Sequence, residues 1–202
     1  MSKTRIKLCG LFRPCDAGYV NRARPDYAGF VFYEKSHRNV MPEQARVLRG
    51  AIHPAIKTVG VFVDAPPEQI AMLHLDNIID VIQLHGGEDN LLITHLRYTL
   101  PEAEIWKAFK IRSTQDLESA AASTADLVLL DNGYGTGKCF DWSLIGDFPR
   151  PFILAGGLTP ENIPEAVSRY HPYAVDISSG IETDGAKDRN KILAAVAAAR
   201  RS

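Results

Sequence analysis

The sequence predicts an α/β fold, a single (β/α)₈ or TIM barrel that spans residues 1–202, and three observations support this prediction. Short apolar segments rich in β-branched residues alternate with segments that carry helix signals, and there are eight of each. The apolar segments are continuous rather than strictly alternating, which is typical of parallel strands covered by helices. Eight units in 202 residues leave about 25 residues for each, which matches a closed barrel better than an open sheet of about five or six strands.

Each element is placed by local signals in the chain. Several helices are expected to begin with a proline in the first turn, or with a Ser, Thr or Asp that caps the free N–H groups. The predicted strands are Arg5–Gly10, Tyr27–Tyr33, Lys57–Val63, Ile79–Gly86, Glu104–Lys110, Asp126–Asn132, Pro151–Gly157 and Tyr173–Ser179. The predicted helices are Pro14–Ala23, Met41–Ile52, Pro66–Leu75, Glu88–Tyr98, Ser113–Ser123, Phe140–Gly146, Thr159–Tyr170 and Asp188–Arg200.

Charge and composition argue against several classes of function. The chain has 23 Lys and Arg against 24 Asp and Glu, so no overall positive field is available for nucleic acid or an anionic membrane. Three cysteines are too few for a disulfide framework, and the N-terminal segment lacks the apolar stretch of a signal peptide. The longest apolar runs are far shorter than the roughly 20 residues of a membrane span. We therefore expect a cytoplasmic protein that has neither nucleic acid nor a membrane as a partner.

Two small-residue motifs, at the ends of the seventh and eighth predicted strands, predict a phosphate site. Gly156 and Gly157 allow close backbone approach before a helix that we expect to begin near Pro160. Ser178 and Ser179 stand where a short extra helix is expected to begin, and its free N–H groups could hold an anion. Either motif alone is weak, but barrels of this kind bind phosphate in the loops after strands seven and eight.

Cys9 and Asp131 are candidates for acid–base chemistry because both stand at strand ends, where the active sites of such barrels lie. A cysteine in a strand is more often a small buried apolar residue, but at the rim its thiol can act as a base or nucleophile. Asp131 ends an apolar run, an environment that raises a carboxyl pKa, although structural carboxylates at strand ends are common too. The glycine-rich segment 132–138 that follows is expected to close over a substrate.

Arg38 and His85 fall on the same predicted face, and their residue types leave their roles open. Arg38 follows the second strand and suits a bidentate grip on a carboxylate, but it could also be a solvated surface charge. His85 ends the fourth strand, where a lone histidine is more often structural than functional. The other histidines show no ligand spacing with acids or cysteines, so we predict no metal.

Motifs along nearly the whole chain resemble those of the phosphoribosylanthranilate isomerase family. In chain order they are KLCGL, GFVFYEKSHRNV, VGVFVD, VIQLHGGE, LLDN followed by GTGKCFDW, ILAGGLTPENI and AVDISSGIETDGAKD. Each motif alone is weak, because glycine-rich phosphate loops recur across barrel enzymes, but their combination in this order is specific.

The resemblance implies a monomeric, cofactor-free enzyme of tryptophan biosynthesis that acts on a small phosphoribosyl substrate, N-(5-phosphoribosyl)anthranilate, by an Amadori rearrangement. It implies that Asp131 is the general acid that protonates the furanose ring oxygen, and that Cys9 is the general base that removes the proton from C2 of the sugar. By the same resemblance, Arg38 holds the anthranilate carboxylate and His85 lines the pocket. The residues it assigns to the phosphate are Gly156, Gly157, Ser178 and Ser179.

Other phosphosugar barrels, and a barrel without activity, remain as alternatives. A ribulose-phosphate epimerase needs metal-binding His and Asp residues on its strands, and an indole-glycerol-phosphate synthase needs a catalytic Lys and Glu at strand ends. Lys107 and Lys110 lie near the fifth strand, but no glutamate is expected to partner them. A non-catalytic barrel that binds phosphoribosyl metabolites would keep the phosphate site and lose the acid or the base, whereas Cys9 and Asp131 are both present.

Overall fold

The computed structural model describes residues 4–131 and 141–201, and its central feature is a closed barrel of eight parallel strands. These are β1 (Arg5–Cys9), β2 (Tyr27–Phe32), β3 (Lys57–Phe62), β4 (Val81–Leu84), β5 (Glu104–Lys110), β6 (Leu127–Asp131), β7 (Phe152–Leu154) and β8 (Ala174–Ile177). Each strand pairs with the next along the chain, and β8 pairs back to β1. The predicted (β/α)₈ barrel is confirmed. The glycine-rich segment 132–138 and Cys139 lie outside the described residues.

Helices cover the outside of the barrel. The α-helices of the described residues are α1 (Pro14–Ala23), α2 (Pro42–Ala51), α3 (Pro67–Leu75), α4 (Asn90–Thr99), α5 (Thr114–Ala121), α6 (Ile163–Tyr170) and α7 (Arg189–Arg201). Two short 3₁₀ helices, Trp142–Ile145 and Ser179–Ile181, follow β6 and β8. A hairpin of β9 (Glu182–Thr183) and β10 (Ala186–Lys187) follows the second of them. Across the described parts of the chain, the helices are too short or too polar to span a bilayer.

The connection between β6 and β7 differs from the prediction. We expected a helix over Phe140–Gly146, but the described part of this segment forms only the 3₁₀ helix Trp142–Ile145. Asp141 starts it by accepting a hydrogen bond from the Ser143 amide at 2.9 Å, and Gly146, at a φ of 49°, ends it. A left-handed residue stops helical hydrogen bonding after one turn, so the segment is too short for an α-helix.

The helix after β7 begins later than expected, at Ile163 rather than near Pro160. The Asn162 side chain accepts a hydrogen bond from the Thr159 amide at 2.8 Å and donates one to the Gly157 carbonyl at 3.0 Å. These bonds fold the residues before the helix into a turn, because an asparagine side chain can take the place of backbone partners.

A cluster of mainly apolar side chains fills the lower part of the barrel interior. Trp106 is fully buried there, and the ring of Tyr27 packs edge-on against it with the centroids 4.9 Å apart. Val59, Val81 and Leu129 belong to the same inner cluster. Most of these residues stand in the first half of their strands, so they fill the N-terminal end of the barrel. The polar groups of the cavity lie at the other end, where the strands end.

Candidate active site

The C-terminal ends of the strands surround a cavity of about 510 Å³. The eight residues that the sequence predicts as catalytic or substrate-binding all line it, namely Cys9, Arg38, His85, Asp131, Gly156, Gly157, Ser178 and Ser179. They converge because all strands of a parallel barrel end on the same face, however far apart they lie in the sequence. A second cavity of about 640 Å³ adjoins it and shares His85, Lys110 and Asp131 as lining residues.

The loops after β7 and β8 approach each other closely at one side of this cavity. Gly156 and Gly157 adopt φ angles of 82° and 69°, a left-handed backbone that favours glycine. Gly180, in the 3₁₀ helix after β8, packs its Cα so tightly against the Leu158 carbonyl that a Cβ there would collide with it. The two loops therefore form one continuous small-residue surface, as a phosphate site in this fold requires.

Ser178 and Lys187 extend this surface into a buried hydrogen-bond network. Ser178 donates its hydroxyl hydrogen to the Cys9 carbonyl at 3.1 Å, and Lys187 Nζ donates to the Ser178 carbonyl at 3.0 Å. Lys187 also pairs with Glu182 at 2.6 Å. Burial lowers the pKa of Lys187 although the charge of Glu182 acts in the opposite direction. Lys187 was not predicted from the sequence, in which its position shortly after the Ser178-Ser179 motif was an available signal.

Cys9 ends β1 beneath the cavity and is buried, with 8% of its surface exposed. Burial raises the pKa of its thiol, and the neighbouring ammonium of Lys7 acts against this. Gly29 on β2 provides the space for the thiol, because a Cβ at that position would lie 3.1 Å from Cys9 Sγ. Cys9 is one of the residues that line the cavity.

Asp131 ends β6 and lies within hydrogen-bond distance of His85, with 3.2 Å between Asp131 Oδ2 and His85 Nε2. The other ring nitrogen, Nδ1, lies 2.8 Å from the Gln83 side-chain amide nitrogen. An amide N–H that donates to Nδ1 leaves the proton of a neutral imidazole on Nε2, from which it points at Asp131. His85 thus contacts the carboxylate rather than standing alone on the rim, and Gln83 orients its ring.

Arg38 is held in place by Glu182 at the edge of the cavity. Its Nε and Nη2 atoms donate to the two Glu182 carboxylate oxygens, each at 2.7 Å. This bidentate pair raises the pKa of Arg38. For Glu182, burial alone would raise the pKa, but the hydrogen bonds from Arg38 and Lys187 outweigh it and lower that pKa. Gly10, at a φ of 76°, leaves room for the Arg38 side chain, which a Cβ there would meet.

Lys107 has a glutamate partner, contrary to the expectation from the sequence. Its ammonium group contacts Glu88 Oε2 at 3.0 Å and the Gly86 carbonyl at 2.7 Å, and both side chains are buried. Glu88 also accepts hydrogen bonds from the Gly86 amide at 2.7 Å and the Asp64 amide at 2.9 Å. These contacts brace the loop after β4. Lys110, three residues further on at the end of β5, is exposed and lines the cavity.

No group of three or more His, Cys, Asp or Glu side chains is arranged to hold a metal ion within residues 4–131 and 141–201. The side chains that line the cavity include a thiol, two carboxylates, an imidazole, a guanidinium and two ammonium groups, beside the small-residue loops. This set can donate and accept protons at two separate points and can bind anions.

The family model and the sequence relatives described below give one family. The family model for N-(5'-phosphoribosyl)anthranilate isomerase matches residues 6–198. The enzyme of that name from Endomicrobium trichonymphae is 44% identical over 197 residues, which cover 95% of this chain and 96% of that protein.

Two solved structures of the family share the fold. One is phosphoribosyl anthranilate isomerase in complex with reduced 1-(o-carboxyphenylamino)-1-deoxyribulose 5-phosphate, with a TM-score of 0.87 and 34% identity over 98% of this chain and 100% of that chain. The other is described as mutually generated monomers of the dimeric enzyme from Thermotoga maritima, with a TM-score of 0.87 and 36% identity over the same shares. On these matches, the chain belongs to the N-(5'-phosphoribosyl)anthranilate isomerase family and is an isomerase of tryptophan biosynthesis.

Proposed function

We propose that this chain converts N-(5-phosphoribosyl)anthranilate into 1-(2-carboxyphenylamino)-1-deoxyribulose 5-phosphate, with Asp131 as the general acid and Cys9 as the general base. The observation that carries the proposal is that both groups line one cavity together with the loops after β7 and β8. The adjoining cavity has carboxylates and glycines but no thiol among its described lining residues.

The acid acts first. Asp131 gives its proton to the furanose ring oxygen, the bond between that oxygen and C1 breaks, and the nitrogen lone pair forms the C1 iminium. His85, within hydrogen-bond distance of the carboxyl group, keeps it aimed at the ring oxygen. Because the ring opens without a nucleophile from the protein, the step needs only a well-placed proton donor.

The base acts second. Cys9, as the thiolate, removes the proton from C2, and the electron pair of that C–H bond moves into the iminium to give an enolamine. Tautomerisation then yields the C2 ketone. The iminium is the electron sink, so the proton can leave carbon without an added cofactor.

The order of the strands supports the separate roles of Asp131 as the acid and Cys9 as the base. Around the barrel, β7 and β8 lie between β6, which carries Asp131, and β1, which carries Cys9. A phosphate held at Gly156, Gly157, Ser178 and Ser179 therefore fixes the sugar between the acid and the base. Holding both reacting ends of one small molecule in this way is a large part of what an enzyme contributes to rate.

Arg38 is proposed to bind the anthranilate carboxylate with the edge of its guanidinium that faces away from Glu182. Its contacts with Glu182 use Nε and Nη2, so Nη1 is the group available to a substrate carboxylate. We expect Arg38→Lys to raise KM by about ten- to one-hundredfold while kcat changes less, because a charge-assisted hydrogen bond is worth about 1.5–3 kcal/mol. Steady-state kinetics check this, and Arg46→Lys, at an exposed salt bridge on α2, is the matched control. An unchanged KM would remove Arg38 from the binding site.

A fluorescence assay tests the overall reaction. Phosphoribosylanthranilate is generated in situ from anthranilate and phosphoribosyl pyrophosphate in chelator-treated buffer, and its disappearance is followed on adding the purified protein. We expect rapid, protein-dependent loss that is insensitive to the chelator. A folded protein that leaves the decay rate unchanged would instead favour a barrel that only binds phosphoribosyl compounds.

Three expectations from the sequence are kept as part of this proposal: one domain over residues 1–202, a monomer, and a cytoplasmic location. The dimer described for the Thermotoga maritima relative belongs to that protein. Light scattering after size exclusion separates the two states, since a monomer gives 22.3 kDa and a dimer twice that mass.

A further inference from the structure

A buried ion pair lies in the floor of the cavity, directly below Cys9. Lys7 is fully buried inside the barrel, and its ammonium group contacts Asp176 Oδ2 at 2.8 Å. The two residues face each other across neighbouring strands, because Lys7 on β1 is in register with Asp176 on β8. The proposed roles of the cavity residues do not use this pair.

Lys7 and Cys9 share the same space inside the barrel. They are two residues apart on β1, so their side chains point to the same face of the strand. A Cβ on Gly29 would lie 3.1 Å from both Cys9 Sγ and Lys7 Cε. The Lys7 ammonium group also lowers the pKa of the Cys9 thiol, so one cation acts on both the Asp176 carboxylate and the thiol.

Asp176 has an unused acceptor at this point. Its Oδ1 atom is buried and has no hydrogen-bond partner within residues 4–131 and 141–201, although the residue lines the cavity. Taking two charges into a barrel interior costs free energy that packed apolar side chains would not cost. Stability alone therefore does not explain why an ion pair with an unsatisfied oxygen lies below the thiol.

We propose that Lys7 and Asp176 are positioning residues that set the proton affinity of Cys9, Lys7 by stabilising the thiolate and Asp176 by restraining Lys7. The inference rests on the proposed role of Cys9 as the base. A buried thiol needs a neighbouring cation to ionise near neutral pH, and a cation without a counterion would not stay charged in the barrel interior.

In the part of the chain that the structure describes, four charged groups act on Cys9, and they come from four parts of the fold. Lys7 on its own strand lowers the thiol pKa, Asp176 on β8 raises it, and Lys187 on β10 lowers it, while burial, the largest influence, raises it. Arg38, after β2, is the fourth, since the charge of Cys9 contributes to its raised pKa. Lys187 and Arg38 are both held by Glu182, whereas Lys7 is the cation that lowers the pKa of the Cys9 thiol most.

Opposite shifts in the ionisation of Cys9 test the proposal. The rate at which iodoacetamide alkylates Cys9 is measured against pH in a Cys15→Ser, Cys139→Ser background, which leaves one thiol. We expect Lys7→Met to move the midpoint up by about one to three pH units. We expect Asp176→Asn to move it down, because the buried ammonium then takes the thiolate as its counterion. The double variant should stay close to Lys7→Met, because Asp176 is proposed to act through Lys7.

If the ion pair has only a structural role, the alkylation midpoint of Cys9 should shift in the same direction in both single variants, or not shift at all. Either result overturns the proposal. Circular dichroism and a urea transition establish that each variant is folded. If Lys7→Met does not fold, Asp176→Asn decides alone, since a midpoint that rises or stays constant contradicts the inference.

The pH dependence of kcat/KM separates this proposal from the role of Cys9. A base is active when deprotonated, so kcat/KM should rise with pH through the Cys9 pKa of the free enzyme, and that limb should follow the alkylation midpoint in each variant. If alkylation shifts as expected while the kinetic limb stays in place, the ion pair controls Cys9 but Cys9 is not the base.

Discussion

Replacing Cys9 by serine is expected to lower kcat by about 10²- to 10⁴-fold and to leave KM within a few-fold of its original value. A serine hydroxyl has nearly the size of the thiol but loses its proton far less readily, so the group that takes the C2 proton is lost while the cavity keeps its shape. Burial already raises the pKa of the thiol, and a hydroxyl in the same place has no accessible anionic form.

Single-turnover measurements of phosphoribosylanthranilate decay give this loss directly, because they isolate the chemical step from product release. Cys15→Ser is the matched control, since Cys15 is exposed on α1 away from the cavity. Activity of Cys9→Ser near that of the control would exclude Cys9 as the base.

Asp131→Asn should cause a loss of similar size, about 10²- to 10⁴-fold in kcat, for a different reason. The amide keeps the shape of the carboxyl group and can still accept the hydrogen bond from His85 Nε2, but it has no proton to give to the ring oxygen. The ring then stays closed, and the later proton transfer at C2 has no iminium to drive it.

Binding of an open-chain ligand distinguishes this explanation from a collapsed site. Reduced 1-(o-carboxyphenylamino)-1-deoxyribulose 5-phosphate, which is bound in a solved relative, has no ring to open. We expect Asp131→Asn to bind it with a Kd within a few-fold of that of the unsubstituted protein, and Asp147→Asn, at an exposed aspartate after the 3₁₀ helix, to retain both activity and binding. A large loss of affinity in Asp131→Asn would point to a structural role for Asp131.

The Lys107–Glu88 contact bears on the alternative that the chain is an indole-glycerol-phosphate synthase. A buried lysine beside a glutamate at strand ends is the feature that a synthase of the same fold needs. Here the pair is engaged by Gly86 and Asp64 in the loop after β4, so both charges serve to hold that loop. Hydrogen bonds of this kind satisfy a buried pair and leave it little freedom for proton transfer.

The barrel and the membership of its cavity were predictable from the sequence, because both depend on local patterns. Continuous apolar strands that alternate with helices require a parallel sheet, and a parallel barrel brings every strand end to one face. Cys9, Asp131 and the glycines after β7 were therefore placed in one cavity without knowledge of any contact. The predicted helix after β6 was wrong because it too was based on a local pattern. A short segment with helix signals does not reveal that Gly146 will end it after one turn.

The pairing of side chains was decided only by the tertiary structure. Lys7 and Asp176 are 169 residues apart, and Arg38 and Glu182 are 144 apart, so their contacts depend on strand register and on the path of the loops. The spacing of Lys7 and Cys9 places their side chains on the same face of β1. The sequence does not show that Asp176 on β8 pairs with Lys7. Sequence periodicity determines which face a residue lies on, whereas the distance between two charges inside the barrel is fixed only when β8 closes against β1.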